Sequence, residues 1–261
     1  MLMTTRHAPG TFCWPELATT DQDGAKKFYT ALFGWTFDDT DMGKGMVYTR
    51  LQLKGAGVGA LYTMRPEERK MAPPHWNSYV AVDSADASAA RAKELGAKLL
   101  MEPFDVMDLG RMAVIADPQG AVFEIWEAKK NHGAGILGEP GALCWTELMT
   151  TDTKAGEAFY TGLFPWKATY LPMGEAGDYT VFKRGEESAA GMMAIAPQMG
   201  PVPPNWMPYF AVENCDASVT KAGGLGAKTI VPPTDIPNTG RFAVVQDPQG
   251  AVFAVIALAP M

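Results

Sequence analysis

The sequence predicts an α+β protein built as two tandem domains, each a pair of βαβββ modules whose mixed sheet curves around a cup. Two observations carry this prediction. One is a long internal repeat. The other is the way hydrophobic periodicity switches between 3.6 and 2 twice within each copy. "CWPELATTD" starts at Cys13 and "CWTELMTTD" at Cys144; "FYTALFGW" starts at Phe28 and "FYTGLFPW" at Phe159. Between Gly10–Trp35 and Gly141–Trp166, 14 of 26 positions are identical. Pro74, Trp76 and Tyr79 match Pro204, Trp206 and Tyr209, and "DPQGAVF" occurs at Asp117 and again at Asp247. The offset falls from 131 to 130 between these blocks, so one residue has been lost. A period of this length is the size of a domain and too long for a solenoid unit. The Gly-rich segment around residues 130–140 reads as a linker, giving domains at 1–129 and 141–261.

Within the first copy, Phe12–Ala18 reads as a strand and Thr-Thr-Asp as a helix start. Ala25, Phe28, Tyr29, Leu32 and Phe33 then fall on one face of an amphipathic helix that Gly34 ends. Strands are expected near Thr36–Thr40, Met46–Leu53 and Val58–Tyr62. The plan restarts with a strand over Asn77–Val82, an Ala-rich helix over Ala85–Leu95 with Gly96 behind it, and strands at Lys98–Met101 and Met112–Ala116. Asp117-Pro-Gln-Gly has the residues of a type I turn, and Ala121–Trp126 returns as the partner strand. Helices on one face of the sheet leave the other free to hold a small ligand.

Composition narrows the partners. With 47% apolar and 20% charged residues the chain can build real cores. A net charge of −7 without any basic run argues against nucleic acid and anionic membranes. Cys13, Cys144 and Cys215 are odd in number and form no CxxC, so they read as small buried hydrophobes in a reducing compartment. No signal-peptide core and no span of bilayer length is seen, and the expected location is the cytoplasm. "GAGVG" at Gly55–Gly59 lacks the helix a phosphate loop needs, and no Ser-His-Asp arrangement stands out.

The paired modules, the "FY..LFGW" helix end and the "DPQGAVFEIW" hairpin resemble the vicinal oxygen chelate superfamily. That group includes glyoxalases, bleomycin-resistance proteins and extradiol dioxygenases, and the tandem form resembles two-domain glyoxalase-like proteins labelled hydroxylases. The resemblance covers nearly the whole chain, once per copy. It implies metal ligands, typically His, His and Glu, on the first, fifth and last strands of a copy. Those positions here are Trp14, Asn77 and Glu124, and in the second copy Trp145, Met207 and Ala254. Trp, Met and Ala do not hold a hard divalent ion, so no metal is expected, with Glu124 as its ligand if one binds.

Alternation along the strands places Glu16 with Trp14 and Glu147 with Trp145. A carboxylate inside an aromatic cup has its pKa raised by desolvation and suits acid–base work, so Glu16, Glu147 and Glu124 are the candidate catalytic groups. The alternative is that Glu16 and Glu147 pair with Arg or cap backbone. Trp14, Asn77, Tyr79, Arg111 and Trp126, with Trp145, Met207, Tyr209 and Arg241, are the candidate ligand-lining residues. An arginine at 111 or 241 could neutralise an acidic ligand, pair with Glu16 or Glu147, or sit on the surface. Trp76 and Trp206 alternate to the helix side and read as core. His7 and His132 are expected exposed, and His75 stands beside a strand opposite Asn205 of the second copy. Because Glu124 faces Ala254 and Asn77 faces Met207, the first copy is the better candidate for chemistry.

Two functions follow. The first is metal-independent binding of a small, largely apolar or aromatic molecule, to which Trp and Met side chains offer stacking and soft contacts. The second is a glyoxalase-like lyase, hydroxylase or dioxygenase acting on a small metabolite, with or without a divalent metal. A monomer or a homodimer fits either.

Overall fold

The computed structural model describes residues 6–172 and 178–259. The first repeat runs β1 (Phe12–Thr19), α1 (Gln22–Phe33), β2 (Thr36–Gly43), β3 (Met46–Leu53), β4 (Ala56–Thr63), α2 (Glu68–Met71), β5 (His75–Ala81), α3 (Ala85–Glu94), β6 (Lys98–Val106), β7 (Gly110–Ala116) and β8 (Val122–Ala128). The second runs β9 (Leu143–Thr150), α4 (Thr153–Leu163), β10 (Lys167–Pro172), β11 (Asp178–Arg184), β12 (Glu187–Ala194), β13 (Asn205–Ala211), α5 (Cys215–Gly224), β14 (Lys228–Ile236), β15 (Gly240–Gln246) and β16 (Val252–Leu258). The short helix α2 has no counterpart in the predicted elements; a single 3-10 turn, Pro197–Met199, precedes β13 in the second repeat.

Each repeat contributes one mixed, open, eight-stranded sheet, in the orders β2-β3-β4-β1-β5-β8-β7-β6 and β10-β11-β12-β9-β13-β16-β15-β14. In every module the first strand lies parallel to the last and the other pairs are antiparallel. The βαβββ modules are therefore as the periodicity predicts. Local chemistry explains the ends. Asp21 Oδ1 accepts the Gly24 N–H at 3.0 Å, capping α1, and Gly34 closes it at φ 72° with its N–H on Thr30 O. Ser84, Asp152 and Asn214 cap α3, α4 and α5 in the same way. The Asp117 turn closes through Gly120 N–H to Asp117 O at 2.9 Å.

"GAGVG" has a packing explanation. A methyl at Gly59 would stand 2.7 Å from Pro15 O, so only glycine lets β4 lie this close to the proline in β1.

Packing divides the chain along lines other than the repeat boundary. One compact unit holds the N-terminal stretch through Cys13, Ser78–Gly133 and Trp145–Met207; the other holds Trp14–Asn77, Ala134–Cys144 and the chain from Pro208 onward. Each unit thus combines one module from each repeat. In the unit containing α1 and α5, Phe253 packs against Phe28, Tyr29, Phe33 and Phe210. In the unit containing α3 and α4, Phe123 packs against Phe159, Tyr160 and Phe164.

The repeated motifs are the keys of this packing. Tyr29 donates its hydroxyl to Asp247 Oδ2 at 2.9 Å and accepts the Trp76 indole N–H at 3.1 Å. In the other unit Tyr160 donates to Asp117 Oδ2 at 3.0 Å and accepts from Trp206 at 2.8 Å. The second oxygen of each aspartate takes backbone N–H groups of its own turn. The tryptophan after each first helix also reaches the other repeat: Trp35 Nε1 donates to Gly141 O, and Trp166 Nε1 to Gly10 O. Burial raises the carboxyls of Asp117 and Asp247 above their ordinary range despite these donors. It also holds Tyr29 and Tyr160 protonated, helped by the charge of the facing aspartate. Trp76 and Trp206 are core residues on the helix side, as alternation predicts.

The cysteines are buried apart from Cys144, which is half-buried. Burial pushes the thiols of Cys13 and Cys144 up to about 12 and that of Cys215 to about 11, so none is a nucleophile at neutral pH. Among the described residues no helix is long and apolar enough to cross a membrane.

Candidate functional site

On β1 and β9 the predicted pairs of Trp and Glu are joined by a tyrosine that strand alternation alone did not find. In the first repeat Trp14 Nε1 donates to Tyr48 Oη at 3.3 Å, and Tyr48 donates to Glu16 Oε2 at 2.7 Å. In the second, Trp145 Nε1 donates to Tyr179 Oη at 2.9 Å, and Tyr179 donates to Glu147 Oε2 at 2.8 Å. Each tyrosine comes from the third strand of the same module, β3 or β11. Both carboxylates are buried, Glu16 at 8% exposure and Glu147 at 6%. Each carboxylate accepts from a phenol, a donor that the sequence expectations did not name. Burial first, and the neighbouring carboxylate second, drive the Tyr48 and Tyr179 hydroxyls well above the usual phenol range, so both stay protonated.

The equivalent clusters are not equally enclosed. All eight residues of β1 are buried, Trp14 included. On β9, Cys144 and Trp145 are half-buried. The second cluster also sits over Gly191, the partner of Glu147 in the β9–β12 register, where the first repeat has the fully buried Ala60. A methyl at Gly191 would overlap Tyr179 Oη and stand 2.8 Å from Trp145 Nε1.

The second strand system carries the remaining candidates. Glu124 on β8 is 3% exposed and accepts the Ser78 backbone N–H at 3.1 Å. Tyr79 and Trp126 meet edge-to-face at 6.2 Å, Tyr79 Oη lies 4.0 Å from Met112 Sδ, and the Trp126 indole donates to Asn131 O. At the matching places of the second repeat stand Ala254 and Ile256, with Tyr209 against Phe242 at 6.2 Å. Asn77 is half-buried and Met207 buried.

Arg111 and Arg241 require correction as ligand-lining residues. Each stands next to a residue of the Tyr79 or Tyr209 face, Met112 or Phe242, and alternation turns the arginine to the side that carries the helix. Arg111 forks onto Asp86 in the first turn of α3 and reaches Asp105; Arg241 forks onto Asp216 in α5 and Asp235. The arginine in turn holds Asp86 and Asp216 below the usual carboxylate range. His75 is structural: its Nδ1 lies 2.8 Å from Pro73 O, and Asn205 closes the same turn onto Pro203 O at 2.8 Å. His7 and His132, expected exposed, are half-buried.

Of the positions implied by the resemblance, Trp14, Trp145, Met207 and Ala254 do not fit a divalent ion, whereas Glu124 and Asn77 of the first repeat carry oxygen donors. An indole N–H only donates, and here both indoles are already committed to tyrosines. Met207 offers a thioether and Ala254 nothing. Among the described residues no group of three or more His, Cys, Asp or Glu side chains is placed to hold a metal.

The sequence of this architecture matches the family model for the glyoxalase/bleomycin resistance protein/dioxygenase superfamily twice, over residues 11–125 and 142–255. It is 41% identical over 257 residues to a Mycobacterium tuberculosis protein named "Putative glyoxylase CFP32", covering 98% of both chains. It is 36% identical over 266 residues to the anthracycline biosynthesis protein DnrV of Streptomyces peucetius, covering 97% of this chain and 95% of that one. Among solved structures, the Mn(II)-bound glyoxalase of Novosphingobium aromaticivorans shares the fold with a TM-score of 0.66 at 17% identity, over 95% of this chain and 82% of that one. The 2,3-dioxygenase LapB of Pseudomonas sp. KL28 does so with 0.63 at 15%, over 99% and 94%. With both repeats matched by the family model and the modules paired as described, the chain belongs to the glyoxalase/bleomycin resistance protein/dioxygenase superfamily.

Proposed function

We propose that this protein binds a small, largely apolar or aromatic molecule at its Trp–Tyr–Glu clusters and does so without a divalent metal. The observation that carries this reading is how each cluster spends its polar atoms. The indole N–H and the phenol O–H are consumed in a chain ending on the carboxylate. The rings can then meet a ligand as π-surface without leaving a donor unsatisfied. The Trp and Met positions of the implied metal set support the metal-free part. The name of the DnrV relative, a protein of anthracycline biosynthesis, is in keeping with an aromatic ligand.

Equilibrium quenching of tryptophan fluorescence by 1-methylnaphthalene tests the reading. Saturable quenching that weakens in Trp14→Phe or Trp145→Phe is the expected result. Quenching unchanged in both variants, or none at all, overturns it.

A glyoxalase-like lyase, hydroxylase or dioxygenase acting on a small metabolite is the second reading. It is favoured by the buried Glu124 at the last-strand position and by the name of the mycobacterial relative. Metal analysis of the purified protein separates the two. A stoichiometric divalent ion that is lost in Glu124→Ala supports the enzyme; a metal-free protein that still binds the naphthalene supports the binder.

A further inference from the structure

We propose that the second-repeat cluster, Trp145–Tyr179–Glu147, recognises a planar aromatic cation. This deepens the binding function proposed above and rests on it.

Access is the first reason. Trp145 and Tyr179 are both half-buried, whereas in the first repeat Tyr48 is half-buried and Trp14 is buried, so the second cluster is the more exposed one. Both polar atoms of these rings are already used, in bonds of 2.9 Å and 2.8 Å, which leaves the ring faces as the contact surface. Electrostatics is the second reason. Glu147 is buried at 6% exposure, and its charge acts on Tyr179 at close range with little solvent to screen it. A phenol that donates to a carboxylate gains electron density in its ring. The ring quadrupole, negative on its face, is thereby strengthened, and a flat cation is the ligand that gains most from it. The net charge of −7 favours the same sign of ligand.

The third reason is Gly191. Without a Cβ there, Tyr179 lies directly over β12 and its hydroxyl closes on Trp145 at 2.9 Å. The first repeat carries Ala60 at the same register, and its Trp14–Tyr48 bond is 3.3 Å. The second cluster is therefore the tighter electronic unit and the more open one.

Two probes of the same shape and different charge decide the matter: N-methylquinolinium and 1-methylnaphthalene, titrated into the intact protein and into variants with unchanged circular dichroism. Glu147→Gln keeps an acceptor and removes the charge. It is expected to weaken N-methylquinolinium by roughly 2- to 30-fold, the span of a cation–π contact, and to change 1-methylnaphthalene by less than about twofold on the same scale. Tyr179→Phe keeps the ring and removes the link, and is expected to act in the same direction; it also serves should Glu147→Gln fold poorly. Glu16→Gln, in the first-repeat cluster, is expected to weaken N-methylquinolinium less than Glu147→Gln does. Equal weakening of both probes, the same charge effect from Glu16→Gln, or no binding of N-methylquinolinium where 1-methylnaphthalene binds, each overturns the cation proposal and leaves the aromatic site standing. Failure of both probes to bind sinks the binding function as well.

Discussion

The helix-side cores and the strand faces that carry the Trp–Tyr–Glu clusters have fared differently in the two repeats. On the helix side every key is kept in duplicate: Tyr29 and Tyr160, Asp117 and Asp247, Trp35 and Trp166, Trp76 and Trp206. On the other face Glu124 corresponds to Ala254, Trp126 to Ile256, Asn77 to Met207 and Ala60 to Gly191. The difference has a physical cause. Tyr29 closes on Asp247, Tyr160 on Asp117, Trp35 on Gly141 and Trp166 on Gly10, each a group of the other repeat, so a change in one copy strands a buried partner in its sister. At positions 124, 126 and 77 the copies have diverged.

The strongest way to break the helix-side core is to hollow it. Phe253 is fully buried among four aromatic rings contributed by both repeats. Phe253→Ala is expected to cost about 3–5 kcal/mol, and Phe123→Ala a similar amount in the other unit. Urea unfolding checks both. A loss under about 1 kcal/mol for either would mean that the units do not depend on this packing.

The Tyr–Asp bonds come next. In Asp247→Asn the amide oxygen can still close the turn, but the Tyr29 hydroxyl then faces an N–H₂ group and its own proton loses its acceptor. The expected cost is about 1–3 kcal/mol. Adding Tyr29→Phe is expected to cost less than the sum of the two single changes, because the stranded proton is removed. Additive losses in a double-mutant cycle would show that the bond contributes nothing of its own.

Alkali probes the same bonds through their protons. Tyr29 and Tyr160 have folded pKa values well above 10, whereas an unfolded tyrosine ionises near 10. Folding therefore holds protons that the unfolded chain releases. The associated stability is fully present below pH 10 and is lost as pH rises beyond it, with a slope of up to about 1.4 kcal/mol per pH unit for each such tyrosine. Denaturation between pH 9 and 11 is expected to show that slope, reduced in Tyr29→Phe and Tyr160→Phe. An unchanged slope in both variants would place the alkaline sensitivity elsewhere.

Much of the framework was legible in the residues. The two blocks around Cys13 and Cys144 give the duplication, and Asp21, Gly34 and the Asp117 turn act through chemistry that is local in sequence, so each appears where it was predicted. Which modules pack together was not legible, because a repeat gives the same signal whether its halves meet each other or their counterparts in the sister copy. Alternation placed Glu16 with Trp14 and Trp76 with the helices correctly. It did not reveal Tyr48 or Tyr179, which reach the glutamates from another strand whose register no short motif fixes. One signal could have found them: Tyr48 and Tyr179 stand at the repeat offset of 131. Arg111 carries no face signal of its own; its neighbour Met112 shares a side with Tyr79, which turns the arginine toward Asp86 of α3.

The finest contrast lies between the two clusters themselves. Tyr48→Phe removes the acceptor of the Trp14 indole and a donor to Glu16, both partners lying on β1, a strand with no exposed residue. Water has little access to replace either bond, and a loss of about 1–2 kcal/mol is expected. Tyr179→Phe breaks the same two bonds beside a half-buried Trp145, where water can take over the indole N–H, so its cost is expected to stay below about 1 kcal/mol. The near-ultraviolet circular dichroism of the tryptophans offers a second readout, since each substitution frees one indole. Were Tyr179→Phe the costlier of the two, the second cluster would be the closed one, and the assignment of the open recognition surface would pass to the first repeat.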